Sequence, residues 1–173
     1  SSACVIASRS EVGSSTTPEA PKAGSYVLTK LRELDVTLVD CAKRLLAHAD
    51  DDEAVHDLRV AIRRMRTLLK MSRKVFGPWH TNAVREAFAQ VMRATGELRD
   101  EEVLEETLAG MAKDPSYDVW LDQRKVREAR LRRNVIARIE RGDLDRARLM
   151  LKALLVFPID PDRNADLSRF ARR

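Results

Sequence analysis

His56, Arg59, Arg63, Arg66, Lys70, Arg73 and Lys74 follow one another at intervals of three or four residues until the last adjacent pair. Side chains of these types do one kind of chemistry well. A guanidinium presents a planar fork of N–H donors that matches two oxygens of a phosphoryl group, and an ammonium adds a point charge. A histidine adds a donor and, as the pH falls, a positive charge. At about 100° per residue all seven lie within a sector of roughly 100° on a helix, so they form one stripe. Leu58, Ala61, Ile62, Met65, Leu68, Leu69 and Phe76 centre on the far side, which separates a core seam from a cationic seam.

Between His56 and Lys74 stand seven lysines or arginines and a single acid, Asp57. An ordinary charge run is a solvated face paired with acids of neighbouring helices. Here like charges four residues apart repel along the helix with almost no internal acid to offset them, and an anionic partner on the face relieves that cost. The stripe therefore reads as an anion-binding surface.

Downstream, Gly96-Glu97-Leu98-Arg99-Asp100-Glu101-Glu102-Val103-Leu104 opens an acidic run that extends through Glu105 and Glu106. Its carboxylates either neutralise part of the stripe or favour a helix N-terminus. Arg99 beside Asp100 suggests a structural ion pair. From Arg124 to Arg148 a second cationic segment holds ten Lys or Arg against four acids. Arg127, Arg130, Arg138 and Arg141 share a sector there and are candidates for another wall of an anion site.

Helices must position these residues, and the composition favours them. Apolar residues make up 44% of the chain and charged residues 34%, with six Gly, six Pro and 5% aromatics, too few aromatics for a sheet-rich core. Residues 1–23, rich in Ser, Thr and Pro, read as a disordered tail or linker. From Ser25, apolar residues recur at helical spacing to the Asp-rich stretch Asp50–Asp52. A second helix is expected from Glu53 to Phe76, closed by Gly77 and Pro78. A third begins near Trp79 with Thr81 as its cap and runs to Gly96, which is either a break or a tight packing point. The pattern resumes to Lys113, turns at Asp114-Pro115-Ser116, spans Tyr117 to Arg141, and ends with a helix from Asp143, a cap after Gly142, to Val156. Residues 158–173 form a basic C-terminal tail. The expected fold class is all-α, an antiparallel bundle of helical hairpins over residues 24–157.

Several classes are disfavoured. No stretch approaches the roughly 20 apolar residues of a membrane helix, and the apolar run Ala3 to Ala7 is too short for a signal peptide; the expectation is a cytoplasmic protein with no membrane partner. Cys4 and Cys41 lie far apart with no second ligand at metal spacing, which argues against a disulfide framework or a zinc site. His48 and His80 lie outside the stripe, and His56 has no carboxylate triad near it in sequence, so no catalytic residue, metal or cofactor is assigned.

The string Val55-His56-Asp57-Leu58-Arg59-Val60-Ala61-Ile62-Arg63-Arg64-Met65-Arg66, followed some thirty residues on by Gly96-Glu97-Leu98-Arg99-Asp100 and Val103-Leu104, resembles the CHAD domain, a histidine-containing α-helical family. The resemblance covers residues 25 to 157. It implies an inorganic polyphosphate-binding module in which basic residues of helical hairpins line a central positive groove. His56, Arg59, Arg63 and Arg66 match the family motif directly. Lys70, Arg73, Arg99, Arg127, Arg130 and Arg138 are added by helix geometry and charge. The family usually has two similar halves, and only the first is legible. Either this chain, which starts at Ser1 without a methionine, is a truncated or half-length member, or a symmetric homodimer rebuilds the two-sided groove. The halves are often joined to, or encoded near, a CYTH-type triphosphate hydrolase domain, so the module could be accessory to such an enzyme, and its location could include polyphosphate granules. The competing readings are a nucleic-acid-binding helical domain and a protein-interaction helical domain with a basic surface.

Overall fold

The computed structural model describes residues 23–49, 51–108 and 115–156. The tails expected at 1–23 and 158–173 fall outside this range, except that residue 23 already opens the first helix. Seven helices fill the described residues, with no strand among them: α1 (Ala23–Ala47), α2 (Asp52–Met71), α3 (Arg73–Phe76), α4 (Pro78–Ala94), α5 (Gly96–Leu108), α6 (Pro115–Glu140) and α7 (Asp143–Val156). The all-α bundle is the expected class.

One core runs through it. Val27, Leu31, Leu38 and Leu45 of α1 meet Val55, Leu58, Ile62, Met65 and Leu69 of α2, and Phe88 of α4 and Leu151 of α7 complete the layer, all with no exposed surface. Each such side chain contributes about 1.5–3 kcal/mol by leaving water. Helix α2 packs on α1 and α4, α4 packs on α7, and α5 packs on α6. The apolar seam of α2 is thus consumed on two sides, and that fixes the rotation of its cationic stripe.

Local chemistry sets the helix ends. Asp51 caps α2, its Oδ1 accepting the Ala54 N–H at 2.9 Å. Arg44 of α1 bonds both Asp51, at 3.0 Å, and Asp57, at 2.7 Å, and so closes the α1–α2 hairpin. The single helix expected to Phe76 is broken at Ser72. That residue is fully buried, and its hydroxyl donates to the Leu69 carbonyl at 3.1 Å, a back-bond that ends α2 and leaves one separate turn, α3. Gly77, at φ 86°, then reverses the chain, and Pro78 opens α4.

Two expected caps are corrected. Thr81 lies inside α4, buried, and donates its hydroxyl to the Gly77 carbonyl. Asp143 stands in the first turn of α7, where its carboxylate accepts from Arg138 and Arg141. Gly96 is a break: a methyl group there would meet nothing within 4 Å, so no close packing requires the glycine. Thr95 ends α4 by donating its hydroxyl to the Met92 carbonyl at 2.9 Å.

Candidate anion-binding face

Five residues of the expected stripe, His56, Arg59, Arg63, Arg66 and Lys70, lie on α2, and Arg73 and Lys74 lie on the separate turn α3. His56, Arg59 and Arg66 are half-buried, and Arg63, Lys70, Arg73 and Lys74 are exposed. Among the described residues, none of the side chains of Arg63, Arg66, Lys70, Arg73 and Lys74 has an ion-pair partner. From Leu58 to Arg85 the chain has eight Lys or Arg and no acid. Carboxylates of other helices act on this segment without bonding it: Asp100 and Glu102 on Arg59, and Glu86 on Arg66.

Arg59 differs from its neighbours on the stripe. Its Nη1 donates to the Met92 carbonyl at 3.1 Å and to Thr95 Oγ1 at 2.9 Å, so the guanidinium clasps α2 to the C-terminal end of α4. Burial holds its pKa below the usual arginine value, and the nearby Asp100 charge acts the other way. Only one of its nitrogens is committed, and the rest of the fork keeps its donors.

The second cationic segment is organised otherwise. Arg127 Nε lies 2.7 Å from Glu101 Oε1, and Arg124 Nη1 reaches both oxygens of the same carboxylate at 2.8 and 2.9 Å. Arg132, 8% exposed, donates to Glu102 and to Glu128, each at 2.9 Å. Arg138 Nε bonds Asp143 at 2.9 Å. Arg130 is exposed and has no partner among the described residues. The acidic run of α5 thus makes its direct ion pairs to other helices with α6, while Asp100 and Glu102 act on Arg59 of the stripe only through space, a division that sequence spacing left open.

The expected pair of Arg99 with Asp100 is corrected: Arg99 pairs with later acids of the same helix. Its Nη1 lies 3.2 Å from Glu102 and 3.4 Å from Glu106, one and two turns on along α5, while its neighbour Asp100 is exposed. Burial works against the Arg99 charge, but the two carboxylates outweigh it and raise the pKa.

One basic residue of this region escaped the sequence reading. Arg85 of α4 sends Nε to the main-chain carbonyl of Arg66 at 3.2 Å and Nη1 to Asn82 Oδ1 at 3.2 Å, which puts its charge beside the stripe. The available signal was slight: it is the one Lys or Arg between Lys74 and Arg93.

A groove lies elsewhere, between α4, α5, α6 and α7, in two stretches of about 410 and 420 Å³ that share Gln90 and Arg138. Its arginines are matched by Glu86, Glu97 and Asp143, so it carries no comparable excess of positive charge. No group of three or more metal-ligating side chains occurs among the described residues. No described helix is long and apolar enough to cross a membrane.

A family model for the CHAD domain matches residues 31–173. Neither a comparison with curated proteins nor one with solved structures returned a similar chain.

Proposed function

The chain belongs to the CHAD domain family, and we propose that it is an inorganic polyphosphate-binding module whose α2 face takes the anion. The observation that carries this reading is a contrast within one molecule. Four arginines of α6, Arg124, Arg127, Arg132 and Arg138, are bonded to carboxylates, leaving Arg130 and Arg133, whereas Arg63, Arg66, Lys70 and Arg73 all have no ion-pair partner among the described residues. A row of unneutralised cations at four-residue spacing is costly in isolation, and a polyanion relieves the repulsion.

Polyphosphate is a flexible anion without bases, so its recognition rests on charge density and donor geometry. Successive cations of the stripe stand about 5 Å apart along the helix axis, a repeat that can follow adjoining phosphoryl groups. In this reading Arg59, Arg63, Arg66 and Lys70 hold the chain, Arg73 extends the track, and His56 donates a hydrogen bond. The module binds and does no chemistry on the anion.

The test is charge reversal. An Arg63→Glu variant with unchanged helicity should bind long-chain polyphosphate at least about tenfold more weakly than the parent, because one contact becomes a repulsion. Equal affinity of the two proteins removes the face from consideration. Displacement of bound polyphosphate by DNA or RNA at matched ionic strength would instead favour a nucleic-acid ligand.

A further inference from the structure

Helices α2 and α4 pack together, and Arg85 of one touches the main chain of Arg66 of the other. Arg85 comes from α4, and its Nε rests on the carbonyl of Arg66 at 3.2 Å while Nη1 is held by Asn82. Arg66 comes from α2, and its Nε is buried with no hydrogen-bond partner. Glu86, the acid next to Arg85 in sequence, senses the Arg66 charge, yet its carboxylate is taken by Arg93 at 2.6 Å. No carboxylate among the described residues bonds either guanidinium. Two like charges on packed helices, with no carboxylate bonded to either, are a costly arrangement that an oxyanion at their outer nitrogens would relieve.

We infer that Arg66 and Arg85 form an interhelical clamp for a single phosphoryl group, and that this protein consequently takes short phosphate chains such as tripolyphosphate as well as long ones. The inference rests on the polyphosphate reading above and sharpens it. A one-helix stripe gains affinity by adding contacts along a polymer, so it favours length. A clamp with donors from two helices holds one tetrahedral group by geometry, and a short chain fills it as well as a long one. Arg85 is positioned for this by Asn82, which occupies Nη1 and leaves Nη2 without a partner among the described residues.

Calorimetric titration with tripolyphosphate and with long-chain polyphosphate, at one ionic strength, tests the clamp. The parent should bind tripolyphosphate, and Arg85→Gln should weaken that binding about tenfold. Arg64→Gln removes the same charge from an exposed site off the stripe, and should change affinity by less than about threefold. Arg85→Lys should recover only part of the loss, because an ammonium lacks the fork. Equal losses in Arg85→Gln and Arg64→Gln, or complete recovery by lysine, overturn the clamp. If long-chain polyphosphate still binds in that case, the functional reading stands without it. If the parent binds neither chain, the functional reading itself fails and the clamp with it. Should Arg85→Gln not fold, the unmodified chain decides: the side-chain Nε–H resonances of Arg66 and Arg85 must move on adding tripolyphosphate while that of Arg64 stays, and immobile signals reject the site.

Discussion

Arg148 of α7 holds Asp35 of α1 in a two-point grip, Nε to Oδ1 at 2.7 Å and Nη2 to Oδ2 at 3.2 Å, between residues 113 positions apart. The two side chains are 16% and 15% exposed. The last helix is thereby tied to the first, and the carboxylate holds the Arg148 pKa above its ordinary value. Asp35→Ala should cost about 1–3 kcal/mol, since it strands a mostly buried guanidinium that keeps only Asp145, and chemical denaturation would read it.

Glu102 is the buried centre of another network. Only 4% of its side chain is exposed, and it accepts from Arg132 on α6 at 2.9 Å and from Arg99 on its own helix at 3.2 Å. Its loss would take one carboxylate from Arg132, which also bonds Glu128 at 2.9 Å. Glu102→Ala should destabilise by about 3–5 kcal/mol, the range for breaking a buried pair from one side. A smaller loss for Glu102→Gln, which keeps an acceptor, would show that satisfaction of the donor and not net charge dominates.

That network explains what the sequence could and could not disclose. The ends of α2–α3 and α6 were legible because Gly77 with Pro78 and Gly142 write their backbone conformations in residue type. The break at Ser72 was not, since serine occurs inside helices and only its burial against Leu69 makes the back-bond decisive. The stripe on α2 was legible because a helix period alone places its residues. The fate of the α6 arginines was not: Arg127 and Arg132 are silenced by Glu101 and Glu102, and pairing across two helices depends on a rotation that no single helix specifies. Arg85 was hidden for the same reason, since its partner is a carbonyl 19 residues away.

Acid should weaken the bundle at carboxylates whose bases are already paired. Arg138 first, and then Arg141, holds the Asp143 carboxyl below its ordinary value of 3.8, and Arg93 holds that of Glu86 below 4.5. A depressed folded-state pKa contributes stability that is fully present above the unfolded value and lost as the pH falls through the folded one. These pairs should therefore leave the melting temperature flat above about pH 5 and lower it below about pH 4. Both are largely solvent-screened, so each effect is small. Asp143→Asn should lower the neutral melting temperature slightly and flatten the acid limb; an unchanged acid limb would place the titration elsewhere.

Arg59, Arg63 and Arg127 provide the sharpest separation of structure from binding. Arg59→Ala removes the bonds to Met92 and Thr95 and should cost about 1–3 kcal/mol of stability as well as affinity. Arg63→Ala touches no partner among the described residues, so stability should stay within about 0.5 kcal/mol while polyphosphate affinity falls and the slope of log affinity against log salt drops by about one contact. Arg127→Ala frees Glu101 from one of two arginines and leaves the α2 stripe intact. It should therefore change neither the salt slope nor the affinity by more than about twofold. A loss at Arg127 matching that at Arg63 would mean that the ligand displaces Glu101 and that α6 forms part of the binding face.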